Sequence, residues 1–217
     1  MTRNVFDREL DHLHQELTHM GQRVNQMIED TITAMNEQDA DLARAVSVAD
    51  DEVDAMEHRI EQACMRLIAR QQPIARDLRT IGATLKIITD MERVADQCCD
   101  ICEIILRLVG GPYVKPLVHL PLMFEKARTM FTQALDTFIR RDVDLARQVC
   151  KNDDEVDTYF TSIILELSGI MSNHPTQVPE AVDLMFITKY VERIGDHATN
   201  IAEWAIFMET GEHPDLN

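Results

Sequence analysis

The pentapeptide DDEVD occurs twice, at Asp50–Asp54 and at Asp153–Asp157, each time placing four acidic side chains in five positions. Asp is a poor residue inside a helix, and like charges four positions apart share one helix face and repel. Two more acidic pairs have the same spacing, Glu92 with Asp96 and Glu192 with Asp196. Four such carboxylates brought together make an oxygen-only shell, which selects Mg²⁺, Ca²⁺, Mn²⁺ or iron over thiolate-loving ions. Two structural readings compete with a metal site. One is a solvated acidic face; the other is an arginine–carboxylate network, because Arg93 and Arg193 directly follow the motif glutamates. Repetition favours the cation. The paired aspartates lie several turns past the helix start, where a carboxylate gains nothing from the helix dipole. The candidate metal ligands are Asp50, Asp54, Glu92 and Asp96, with Asp100 extending their stripe, and Asp153, Asp157, Glu192 and Asp196. The expected ion is divalent or iron-type (Mg, Mn, Fe or Zn), its identity left open.

These residues must be held by helices. Phe6, Leu10, Leu13, Leu17, Met20, Val24 and Met27 alternate steps of four and three, the heptad stripe of one long helix. Similar spacing continues nearly to the C-terminus, and no stretch alternates like a strand. Pro73, the segment GGPYVKP at 110–116 and the segment NHPTQVP at 173–179 interrupt the pattern, and Asp39 and Asp142 sit where N-caps belong. The pattern predicts six helices, at about 4–36, 39–70, 74–109, 116–140, 142–171 and 179–210. DADLARAVSVADDEVD (39–54) aligns without gaps to DVDLARQVCKNDDEVD (142–157), with eleven of sixteen positions identical. ITDMERVADQCCDICE (88–103) aligns likewise to TKYVERIGDHATNIAE (188–203). The expected architecture is all-α: two tandem, duplicated three-helix bundles over 1–110 and 111–217.

Composition removes other classes. A net charge of −17 disfavours nucleic acid and anionic lipid as direct partners. No secretory signal and no membrane-length apolar run is evident, and the odd count of five cysteines, all in helical pattern, suits a reducing cytoplasm. Cys99-x-x-Cys102 lies mid-helix without a second pair, and reads as core. The two Glu-x-x-His sequences, Glu9–His12 and Glu16–His19, share one helix, whereas a di-iron bundle draws them from two. His197 beside Asp196 is an outer-ligand candidate that Gln97 replaces in the other half. There is no nucleotide loop or nucleophile elbow, so no enzymatic activity is expected. The alternative is a carboxylate-bridged metal protein with an oxidase or storage role.

Two E-R-[IV]-[GA]-D helices, each preceded by a D-x-x-x-D helix, resemble the PhoU family. The likeness extends through MGQRVNQMIEDTITAMNEQDADLA, RQQPIARDLR and VERIGDHATNIAEW, nearly the whole chain. The first motif departs from the pattern at Val94-Ala95 and Asp100. The resemblance implies two three-helix bundles with a metal-binding motif pair in each. It further implies negative regulation of phosphate-starvation signalling and phosphate uptake. Such a homodimeric adaptor would link the phosphate ABC transporter to a sensor histidine kinase, reaching the membrane only through these partners.

Overall fold

The computed structural model describes residues 3–212 and residue 214, so the outermost residues of both expected units lie outside the described residues. Six α-helices follow one another: α1 (Arg3–Glu37), α2 (Ala40–Gln71), α3 (Ala75–Leu108), α4 (His119–Arg140), α5 (Val143–Asn173) and α6 (Val178–Thr210). A 3₁₀ turn, Pro175–Gln177, leads into α6, and no strand occurs among the described residues. The all-α, six-helix expectation holds.

Both halves turn from their first helix into their second by one device. Gln38 and Arg141, 103 residues apart, adopt left-handed backbone at φ 52° and 58°. The next residue is the capping aspartate. Asp39 Oδ1 accepts from the Asp41 and Leu42 N–H groups at 2.9 and 3.0 Å; Asp142 Oδ1 accepts from the Leu145 N–H at 3.0 Å. Two boundaries differ from expectation by more than one residue. Helix α4 begins at His119, not at 116, with Pro121 in its first turn, where no helical N–H is needed. The segment before it is used elsewhere: the Tyr113 hydroxyl donates to the Met35 carbonyl at 2.7 Å, and Gln38 Nε2 to the Gly111 carbonyl at 3.0 Å. Helix α5 also runs two residues further, to Asn173.

Helix α1 packs with α2 and α3, and α4 packs with α5 and α6. The halves meet along α3–α6 and α1–α4, while α2 and α5 touch no helix of the opposite half. The α1 heptad is its buried face: Leu13, Leu17, Met20, Val24 and Met27 are all buried. Phe124, Phe131 and Phe138 repeat at sevens on α4 and supply its largest buried side chains. One core continues through both halves. Gly21 lets α4 pack closely on α1, since a Cβ there would stand 2.6 Å from Leu135 Cδ1. Ion pairs fasten the seams: Arg128 Nη1 to Glu29 and Arg107 Nη2 to Asp183, both at 2.7 Å.

The two caps generate a stability prediction. Asp39→Ala leaves two helical N–H groups without their acceptor and Asp142→Ala leaves one. Removing such a cap costs about 1 kcal/mol, or roughly 2–4 °C in a chain of this size. Thermal melts should show the larger drop for Asp39→Ala; the reverse order would contradict the capping geometry.

Candidate metal centre

The DDEVD helices are α2 and α5, and each residue of the repeat has its own task. Val53 and Val156 are fully buried in the core. Glu52 accepts from Arg23 Nε of α1 at 2.7 Å, and Glu155 pairs with Lys126 Nζ of α4 at 2.9 Å. These pairs are equivalent at the 103-residue offset, and each ties the motif helix to the first helix of its own half. Asp51 and Asp154 are exposed. The first and last aspartates remain, and they face the third helix of their half.

In the first half, Asp50 and Asp54 on α2 act electrostatically on Glu92 and Asp96 on α3. Burial, then Asp54 and Asp96, raise the Asp50 carboxyl above its ordinary value. Burial, then the Asp96 charge, push Glu92 up to about 7, against partial relief from Arg93. Arg93 Nη1 donates to Asp96 at 2.7 Å, and its Nε lies 3.4 Å from Glu92 Oε2. Even so, Asp50 Oδ1 and Glu92 Oε2 are buried oxygens without a hydrogen-bond donor. Such an oxygen is costly to bury.

In the second half, Asp153, Asp157, Glu192 and Asp196 come together between α5 and α6. Burial, then Asp196, Asp157 and Glu192, push Asp153 up to about 7. Burial and Glu192 raise Asp196, opposed by Lys189 and His197. Lys189 Nζ also donates to Glu192. The close approach depends on Gly195, where a Cβ would stand 3.2 Å from Asp153 Oδ1 and 3.4 Å from Val156. Its first-half counterpart is Ala95, buried completely.

Each half therefore gathers its four carboxylates in the groove between its second and third helices. Asp100 stands differently. Burial raises it first, then Glu103 and Asp96, while Arg193 of α6 lowers it, which places it toward the seam between the halves. His197 likewise turns across that seam, with Nδ1 2.9 Å from Asp90 Oδ1, which also accepts from Asn200 at 3.2 Å. Sequence reasoning missed Glu57, a fifth carboxylate at the groove, which raises Glu92 and accepts from the Thr89 hydroxyl at 3.1 Å. Its equivalent is Phe160, whose ring lies 5.6 Å from Lys189 Nζ. The two grooves thus differ, the first being the more acidic. A thiol borders each: Cys99 beside Asp50, and Cys150, pushed up to about 11 by burial and by Glu203, beside Asp153. Both remain protonated at neutral pH.

The donor chemistry fits a hard cation, and Asp50 Oδ1, buried without a hydrogen-bond donor, marks where positive charge is lacking. The side chains are not already closed on a single point: among the described residues, no three Asp, Glu, His or Cys side chains form a ready cage for one ion. Binding would draw the carboxylates inward from their present rotamers.

The raised carboxyls predict a pH dependence. Glu92 and Asp153 titrate near 7 in the folded chain against ordinary values of 4.5 and 3.8. Across that window the folded state holds more protons than the unfolded one, so stability falls as pH rises through it. In chelator, the protein should melt higher at pH 5 than at pH 8, and Glu92→Gln/Asp153→Asn should flatten the slope. A slope unchanged in the double variant would mean the two groups titrate normally.

Comparison with known proteins follows this geometry. The family model of the PhoU domain matches residues 17–105 and again 120–205. The phosphate-specific transport system accessory protein PhoU homolog of Clostridium acetobutylicum is 41% identical over 218 residues, the whole of both chains. The crystal structure of PhoU from Pseudomonas aeruginosa superposes with a TM-score of 0.92 at 33% identity, covering 95% of this chain and 100% of that one. That of the phosphate transport system regulatory protein PhoU from Streptococcus pneumoniae gives 0.90 at 26% identity, covering 97% and 99%.

Proposed function

The chain belongs to the PhoU domain family, and from that premise we propose that it is a phosphate-transport accessory protein, a non-enzymatic negative regulator of phosphate uptake and phosphate-starvation signalling. The observation that carries this reading is the 41% identity to an accessory protein of the phosphate-specific transport system, spanning both chains completely. In this reading the partners are subunits of the phosphate ABC transporter and a sensor histidine kinase, met at the cytoplasmic face of the membrane, with the protein acting as a homodimer. No helix among the described residues is long and apolar enough to cross a membrane, which suits attachment through partners. A chain of net charge −17 meets basic partner surfaces best, so association should weaken as salt screens the charges.

The grooves give the adaptor two places where ligand binding can stiffen it. A divalent or iron-type cation would supply the positive charge that Asp50, Asp54, Glu92 and Asp96 lack, and that Asp153, Asp157, Glu192 and Asp196 lack. The chain's own residues set the terms of that binding. Glu52 and Glu155 anchor the motif helices, Gly195 admits Asp153 to the groove, and Arg93 and Lys189 offset part of the repulsion. Each groove joins an outer helix to one lining the seam between halves, so drawing its carboxylates together would stiffen the molecule on both sides of that seam.

Deleting the gene, together with any second copy, should switch on an alkaline phosphatase reporter in phosphate-rich medium, and the wild-type gene should restore repression. Normal repression in the deletion strain would contradict the regulatory reading. Glu192→Ala/Asp196→Ala should behave as the deletion if the second groove supports signalling. A folded variant that represses normally would separate the groove from regulation.

A further inference from the structure

Outside the acidic grooves, one cleft has the opposite character. Arg66 and Arg70 stand four residues apart near the end of α2, and Arg8 and His12 stand four apart on α1. With Glu9, Ala63 and Leu67 they line a cleft of about 430 Å³. Three guanidinium groups against one carboxylate leave this wall net positive in a chain of 38 acidic and 21 basic residues.

Arginines elsewhere find acids readily: Arg23, Arg107 and Arg128 each reach a carboxylate at 2.7 Å. Among the described residues, Arg66 and Arg70 pair with none. A favourable helix-end dipole accounts for Arg70 in the last turn of α2. It does not account for Arg66, a turn earlier, lining the same space as Arg8 and His12. Arg66 and Arg70, like charges four apart on one helix, repel, and what this pair lacks is an anion.

The second half contains that anion as part of the chain. At the 103-residue offset Ala63 corresponds to Glu166. One Glu166 oxygen accepts from Lys115 Nζ and the other lies 2.9 Å from His119 Nδ1, so a carboxylate on α5 partners the lysine just before α4 and the first residue of that helix. In the first half this carboxylate is replaced by a methyl group, the cations are more numerous, and the space is open.

We propose that the α1–α2 cleft binds a small oxyanion carrying at least two negative charges, a phosphoryl or polycarboxylate group held by Arg66, Arg70 and Arg8 over Ala63 and Leu67. The guanidinium fork matches the paired oxygens of either group, and the volume falls in the range of about 300–1,000 Å³ usual for small-ligand sites. This site is independent of the acidic grooves and of the regulatory reading.

Calorimetric titration of the full chain at low ionic strength, with inorganic phosphate and separately with citrate, tests it. Saturable binding is expected for at least one probe, and phosphate alone or citrate alone assigns the source as phosphoryl or carboxylate. Arg66→Ala/Arg70→Ala should weaken that binding at least tenfold. Ala63→Glu, which restores the carboxylate of the second half, should abolish it and melt higher than wild type. Circular dichroism establishes that both variants are folded, as the exposure of Arg66 and Arg70 leads one to expect. Failure of both probes to bind wild type overturns the proposal, as does binding that survives in the two folded variants.

Discussion

Mutual repulsion of carboxylates, held together by the apolar surface beneath them, is the constraint on which this structure turns. Val53 and Val156 are fully buried directly between the acidic positions, and Val94 and Ile194 are buried behind the motif glutamates. Burial of each such side chain contributes roughly 1.5–3 kcal/mol, enough to hold like charges in a groove they would otherwise leave. The strain appears as raised carboxyls at Asp50, Glu92, Asp153 and Asp196, with burial the largest cause each time. A cation bound there would relieve it in the folded state alone, and would stabilise that state by mass action.

Duplication explains why the arrangement occurs twice, and divergence explains why the copies are unequal. The anchors Glu52–Arg23 and Glu155–Lys126 are retained at one offset, as are the left-handed turn and its capping aspartate. The surroundings have changed. Glu57 corresponds to Phe160, Thr89 to Lys189, and Ala95 stands where Gly195 admits Asp153. The first groove has the extra acid and the second the extra lysine, so their affinities for one ion should differ. Charge follows a similar division at the outer ends, where Glu166 closes one cleft and Ala63 leaves the other basic and open.

Most of this was legible in the chain because heptad spacing, proline punctuation and aspartate caps are local signals. The start of α4 was misplaced because Pro116 and Pro121 are equally acceptable as first-turn residues. Only the tertiary bond of Tyr113 to Met35 shows that the earlier segment is occupied. The acidic quartets were legible because repetition separates paired carboxylates from a merely acidic surface. Glu57 escaped because Phe160 breaks the repeat at that position. Asp90 with His197 and Asn200 escaped because partners 107 and 110 residues apart meet only when α3 is laid against α6. Asp100 was assigned with Asp96 from helical spacing, and both Asp96 and, from the other half, Arg193 act on it.

The central claim is that both grooves are built to receive a cation, and proton release on metal binding tests it most directly. Metal-free protein is titrated with Mn²⁺ near pH 6.5 by calorimetry in two buffers of different ionisation enthalpy. Glu92 and Asp153, with carboxyls near 7, are partly protonated there and must lose those protons to bind metal. The expected result is saturable binding whose heat depends on the buffer, with a smaller proton release in Glu92→Gln/Asp153→Asn. No saturable binding of Mn²⁺, nor of Mg²⁺, Fe²⁺ or Zn²⁺ in the same experiment, would contradict the claim and leave the grooves as acidic faces alone.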